Sequence, residues 1–215
     1  MRPQLVIFDV DGTLLDTEAR WKEAWETIGN KYNAPELGVD LFYQLIGKSG
    51  KEEHLFIENY LSQRNLPNSI LSETTAYGLQ LLSEHIDVKP GVFEFLNHLK
   101  SLNIPMGVAT ATNRDATIER LTRCGLIDYF EYMLCGDQVT KRKPHPETYL
   151  KVLEHFNMDA KNALVLEDSL VGVEAAYRAG IPCVMVPDLI MPTKTQEEQA
   201  IAIVETLNEV ISMIE

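Results

Sequence analysis

Two aspartates one residue apart, Asp9 and Asp11, stand with Val10, Gly12 and Thr13 directly after the apolar run Leu5–Phe8. Three more polar clusters follow apolar runs in the same way: Thr110-Ala111-Thr112-Asn113, a loop ending Lys141-Arg142-Lys143-Pro144, and Glu167-Asp168-Ser169. Carboxylates crowded together without a counter-charge raise one another's pKa. A hard divalent cation resolves that conflict, and a site of few carboxylates with room for water and a phosphate suits Mg²⁺. Lys143 and the Thr110 hydroxyl then suit phosphoryl oxygens, and backbone N–H groups after Asp9 can add an anion nest. The chemistry pointed to is that of a phosphate group held against a metal.

These clusters converge only if the apolar runs before them are neighbouring strands. Leu5–Phe8, Ile104–Ala109, Tyr132–Leu134, Ala163–Leu166 and Ile181–Val186 read as buried parallel strands, continuous and rich in aliphatic residues. Helix-period segments lie between the later ones, Val92–Leu102 and Arg114–Cys124 among them. Strand and helix in alternation predict an α/β, doubly wound parallel sheet, in which ligands bind beyond the carboxyl ends of the strands. Asp9 and Asp11 would point to opposite faces if the strand simply continued, but Gly12 lets the chain turn. The strand can then end at Asp9, with the Asp11 carbonyl toward the same ion and its side chain folded back over the site.

Roughly 95 residues separate the first two runs, far more than the dozen or so that a strand-helix-strand crossover needs. That interval reads as helical. Asp16 is the expected N-cap of a helix carrying Trp21, Trp25 and Ile28, Ser49 that of Lys51–Arg64, and a third helix is expected over Leu71–His85. Residues 16–88 are therefore expected to form an inserted α-helical cap domain, with 1–15 and 89–215 forming the core. Pro187–Thr195 reads as a loop and Gln196–Ile214 as a final amphipathic helix.

The chain carries 19 Lys and Arg against 32 Asp and Glu, a formal net charge of −13, and such a field disfavours nucleic acid and anionic membranes as partners. Cys124, Cys135 and Cys183 are odd in number, without C-x-x-C spacing, and fall in or beside apolar segments; reduced thiols in a cytoplasmic protein are expected, and zinc is not. No apolar run is long enough for a signal peptide or a membrane span. A monomer or a weakly associating oligomer is expected.

Asp9-Val10-Asp11-Gly12-Thr13, Thr110 after an apolar strand, Lys143-Pro144 and Glu167-Asp168 resemble the four motifs of the haloacid dehalogenase-like superfamily in order and spacing. The insertion just after the first motif is similar to that of its β-phosphoglucomutase-like phosphatases. The resemblance implies a Rossmann-like core with a helical cap, and a Mg²⁺-dependent phosphatase of small phosphate monoesters, sugar phosphates above all. It implies that Asp9 is the nucleophile forming an aspartyl-phosphate and Asp11 the general acid/base. Thr110 and Lys143 would hold the transferring phosphoryl group. Mg²⁺ would be held by Asp168, the Asp9 carboxylate and the Asp11 backbone carbonyl, with Glu167 a direct or water-mediated partner. Thr112 and Asn113, and Gly47 and Lys48 in a cap loop, are expected at the substrate.

Other readings fit less well. Gly47-Lys48-Ser49 resembles the tail of a phosphate-binding P-loop, but Phe42 stands where the first glycine belongs. Dehalogenation has no use for Asp11 or a metal. A β-phosphoglucomutase would return the phosphoryl group to sugar, yet such enzymes typically place a histidine on the first cap helix, where Arg20-Trp21 stand here. A phospho-acceptor signalling domain shares the acids, threonine and lysine but not their order. Trp21 and Trp25 suit either a pocket roof or the cap's own core. His54, His85, His98, His145 and His155 match no ligand or triad spacing.

Overall fold

In the computed structural model, which describes residues 2–46, 48 and 50–214, the chain divides into two compact units. Residues 1–15 and 87–215 form one, and residues 16–86 the other.

The first unit is built on a parallel sheet. Strand β1 is Leu5–Phe8; after the insertion, helix α5 (Val92–Ser101) leads into β2 (Met106–Ala109), α6 (Arg114–Arg123) and β3 (Tyr132–Leu134). Helix α7 (Glu147–Phe156), β4 (Ala163–Glu167), α8 (Leu170–Arg178) and β5 (Cys183–Met185) follow. The chain closes with α9 (Lys194–Gln199), β6 (Ala202–Ile203) and α10 (Leu207–Ile214). The strand order is β3-β2-β1-β4-β5-β6 and all described pairings are parallel. Because the order reverses direction at β1, the loops after β1, β2 and β4 diverge and leave a crevice above their carboxyl ends.

Alternation along the strands fixes both faces. Leu5 and Ile7 join Ala163 and Val165 in a core sealed by Tyr149, Val152 and Leu153 of α7 and Val173 and Ala176 of α8. Phe8 points the other way, edge-on to Phe95 of α5 at 5.9 Å and to Phe130 at 5.7 Å. Full burial of one such side chain is worth about 1.5–3 kcal/mol.

The final helix expected over Gln196–Ile214 is not continuous. Ile201 N–H donates to the Cys183 carbonyl at 2.8 Å and Val204 N–H to that of Met185 at 3.0 Å, so Ala202 and Ile203 add a sixth strand beside β5. Two residues are too few to show a period, and only the exposed backbone edge of β5 draws them into the sheet.

The second unit contains α1 (Glu18–Lys31), a π-turn over Leu37–Leu41 running into α2 (Phe42–Leu45), α3 (Lys51–Gln63) and α4 (Ser69–Glu84). Its core includes Trp25, Ile28, Leu41, Ile57, Leu61, Ile70 and Leu82. Trp21 packs on Gly78 of α4, where an added Cβ would lie 2.3 Å from the ring, so both tryptophans serve the packing of this unit. The cap of α1 falls at Thr17 rather than Asp16, with Arg20 and Trp21 N–H already bonded to the Thr17 carbonyl. Helix α3 follows Gly50; the cap expected at Ser49 lies outside the described residues. Helix α4 begins at Ser69, two residues earlier than expected.

Candidate active site

Strand parity decides which acids meet. Asp9 continues the Leu5, Ile7 alternation, and Glu167 continues that of Ala163 and Val165, so both aim at the α7–α8 face. The ladder carries them there side by side: Phe8 is in register with Leu166, and Asp9 N–H donates to the Leu166 carbonyl at 3.0 Å. Between them lies the Lys143 ammonium, 2.6 Å from Asp9 Oδ1, 2.6 Å from Glu167 Oε1 and 3.0 Å from the Ala109 carbonyl.

Lys143 comes from the loop before α7, and the first residue of that helix braces the loop. Glu147 accepts the N–H groups of Thr140 and Lys141, each at 2.9 Å. Those two bonds, with the Lys151 ammonium at 2.9 Å, lower the Glu147 pKa to about 2.

One ammonium shared by two buried carboxylates leaves a negative charge uncompensated. Burial pushes the Asp9 carboxyl up to about 7; Lys143 opposes the rise, and the charges of Glu167 and Asp11 add to it. Burial works against the Lys143 ammonium too, but Asp9 and Glu167 outweigh it and carry its pKa well above the usual lysine value.

Glu167 is fully buried and its oxygens serve the protein. Beyond Lys143, Oε1 accepts from the Tyr149 hydroxyl at 3.1 Å, and Oε2 from Ser169 N–H at 2.8 Å and Ser169 Oγ at 2.9 Å. Gly172 is needed here because an added Cβ would fall 1.7 Å from Oε1. Glu167 was expected as a direct or water-mediated metal partner; parity turns it beneath the sheet end, where it pairs with Lys143.

Asp168, the next residue, has the opposite parity. Its carboxylate rests on the backbone of Gly12, whose φ is +88° and whose missing Cβ would lie 2.3 Å from Asp168 Oδ2. Thr13 Oγ1 donates to Asp168 Oδ1 at 3.0 Å. Asp168 is thus lodged against the turn that follows Asp11, with no room for any residue but glycine at 12.

The Asp11 side chain takes a different direction. Oδ1 accepts from Arg120 Nη1 at 2.8 Å and Oδ2 from Thr112 Oγ1 at 2.6 Å, with Thr110 Oγ1 at 3.5 Å. Thr112 and Asn113, expected at the substrate, have partners within the protein. Thr112 donates from its hydroxyl to Asp11 and from its N–H to Thr110 Oγ1, and Asn113 Oδ1 caps α6 by accepting Ala116 N–H at 3.0 Å. Lys48, in the helical unit, pairs with Glu52 at 3.5 Å and lies 5.1 Å from the Phe56 ring. Gly47 lies outside the described residues.

A cation fits this donor set. Asp9 shares its one ammonium, Lys143, with Glu167, and no hydrogen bond reaches Asp9 Oδ2 among the described residues. Among those residues no three His, Cys, Asp or Glu side chains form a metal-holding group, so a bound ion would draw on backbone, water or phosphate oxygens as well, which is the habit of Mg²⁺. Arg120 and Tyr149 are the contributors that sequence reasoning missed, and Ser169, named in the cluster after the fourth apolar run, was given no part. Arg120 left a signal, a charged residue three positions after Thr117 and next to Leu121 on the buried face of α6.

Comparison with known proteins bears on this arrangement. A family model described as haloacid dehalogenase-like hydrolase matches residues 6–186. A phosphorylated carbohydrates phosphatase of Thermotoga maritima is 37% identical over 178 residues, 83% of this chain and 82% of the relative. A solved structure from Thermotoga maritima, provisionally assigned as a β-phosphoglucomutase, superposes with a TM-score of 0.80 at 33% identity, over 100% of this chain and 98% of that one. CbbY of Rhodobacter sphaeroides, solved with xylulose-(1,5)bisphosphate, gives 0.73 at 28% identity over 96% of each chain.

Proposed function

The chain belongs to the haloacid dehalogenase-like hydrolase family, and on that premise we propose that it is a Mg²⁺-dependent phosphatase of small phosphorylated carbohydrates acting through an aspartyl-phosphate on Asp9. The observation that carries this reading is the placement of the Asp9 carboxylate at the end of the central strand, with Lys143 on one oxygen and the hydroxyl of Thr110 and the carboxylate of Asp11 in the neighbouring loops. The 37% identity to a phosphatase of phosphorylated carbohydrates supports the substrate class.

Asp9, Asp168 and the Asp11 backbone carbonyl would hold Mg²⁺. When bound, the ion supplies charge neutralisation at the phosphoryl oxygens and brings the Asp9 carboxyl back to its ionised form. The chain's own residues do the rest. Asp9 attacks phosphorus while Asp11 gives a proton to the departing sugar oxygen, so that one P–O bond forms as the other breaks. Water then attacks the aspartyl-phosphate, Asp11 takes the proton, and Asp9 is regenerated with release of phosphate. Lys143 and Thr110 hold the phosphoryl oxygens through both steps.

The β-phosphoglucomutase reading shares this machinery, and the likeness to a structure provisionally assigned to that activity keeps it in play. Against it stands the first helix of the insertion, where Arg20 pairs with Glu23 and Trp21 packs on Gly78, with no histidine in their place. The test is phosphate release across a panel of sugar, nucleotide and small-acid phosphates, with β-glucose 1-phosphate coupled to detection of glucose 6-phosphate. Mg²⁺-dependent release from sugar phosphates is expected; isomerisation without net release would make the protein a mutase.

A further inference from the structure

Arg120 has no part in the reaction just described, yet it is held against the residue assigned as acid/base. Only 6% of its surface is exposed. A guanidinium cannot shed its charge at any working pH, so a buried one needs a hydrogen-bond acceptor beside it. That acceptor is the Asp11 carboxyl, 109 residues away in sequence, with Nη1 2.8 Å from Oδ1.

The contact makes the two Asp11 oxygens inequivalent. Oδ1 belongs to Arg120, and Oδ2 faces the hydroxyls of Thr112, at 2.6 Å, and Thr110, at 3.5 Å. Proton transfer needs the working oxygen within hydrogen-bond reach of the leaving group, and a carboxylate on a single rotatable stem meets that demand only when its orientation is fixed. We propose that Arg120 is a positioning residue for Asp11, holding Oδ1 so that proton transfer to and from the substrate runs through Oδ2, the oxygen on the side of Thr110. This rests on the phosphatase reading. Arg120 keeps its protons throughout; the proton given to the sugar oxygen leaves Oδ2, and the proton taken from water returns to it.

The test uses two phosphate monoesters, a hexose 6-phosphate, whose alcohol leaves only with a proton, and p-nitrophenyl phosphate, whose phenolate leaves without one. The readout is kcat/KM, which reports the steps through phosphoryl transfer to Asp9. Arg120→Met is expected to lower kcat/KM for the hexose phosphate by about 10-fold or more and that for the aryl phosphate by less than about 3-fold. In an Asp11→Asn background the same substitution should change neither by more than about 2-fold, because its effect passes through the missing carboxylate. Arg120→Lys keeps the charge without the fork and should fall between wild type and Arg120→Met, which supplies the comparison if the methionine variant does not fold. An equal loss on both substrates, or a loss that persists without Asp11, would make Arg120 a structural residue only and overturn the proposal. An Asp11→Asn enzyme that keeps full activity on the hexose phosphate would overturn the phosphatase mechanism and this inference with it.

Discussion

Glu167 Oε1 lies 2.6 Å from Lys143 Nζ, and its side chain is fully out of solvent. The pair joins the end of β4 to the loop before α7, and through Lys143 it reaches Asp9, also at 2.6 Å. A lysine held between two carboxylates at the ends of neighbouring strands has a fixed place for its ammonium. Tyr149 and Ser169 hold the lower carboxylate in turn.

Removing Lys143 should therefore cost more than phosphate contact. Lys143→Ala leaves Glu167 buried without its cation, a change on the order of 3–5 kcal/mol. Thermal unfolding should show the loss as a lowered midpoint, and inorganic phosphate should bind the surviving folded protein more weakly. An unchanged midpoint would mean that the Lys143–Glu167 pair adds nothing to stability.

Asp11→Asn keeps the shape of the proposed acid/base and removes its proton. Turnover of an alkyl phosphate should fall by about 10²-fold or more, while an aryl phosphate loses less in the phosphoryl-transfer step. Steady-state kinetics on the two esters would show it, and equal rates for the variant and wild type on the alkyl ester would remove Asp11 from the reaction.

Asp9→Asn should leave the fold intact and, in metal-free solution near neutrality, as stable as wild type or more so. Its parent carboxyl has a folded pKa raised to about 7 by burial, so the folded state holds that proton more firmly than the unfolded chain. Between the ordinary aspartate range and pH 7 that link makes stability fall as pH rises, and a neutral amide removes the slope. Midpoints measured from pH 4 to 7 for both proteins in the presence of a chelator would reveal it.

Glu147 has the opposite sign. Its folded pKa is lowered to about 2 by the amides of Thr140 and Lys141 and the Lys151 ammonium. The stability it lends is complete above the ordinary glutamate value and is lost as pH falls from there to about 2. Glu147→Gln should flatten that part of the acid unfolding curve, and an unaltered curve would mean that the brace adds nothing.

The five strands were legible because each is a continuous apolar run, and the polar clusters were legible because parallel sheets carry such residues at strand ends. The positions of Asp9, Thr110, Lys143 and Asp168 needed only that rule and the order of the runs. What the sequence hid depends on contacts far apart along it. Glu167 and Asp168 are adjacent, yet strand parity sends one to Lys143 and the other to Gly12. Thr112 and Arg120 meet Asp11 only once β2 lies beside β1. The closing segment was misread because β6 owes its existence to the free edge of β5 rather than to any periodicity of its own.

The most direct test of the account is phosphate release from a phosphorylated carbohydrate by wild type and Asp9→Asn, each with Mg²⁺ and with a chelator. Release by wild type with Mg²⁺, its loss on chelation and restoration on adding Mg²⁺ back, and none from Asp9→Asn under any condition are predicted. Phosphate release by a folded Asp9→Asn, or wild-type release that chelation leaves untouched, would contradict the assignment of Asp9 as a metal-assisted nucleophile.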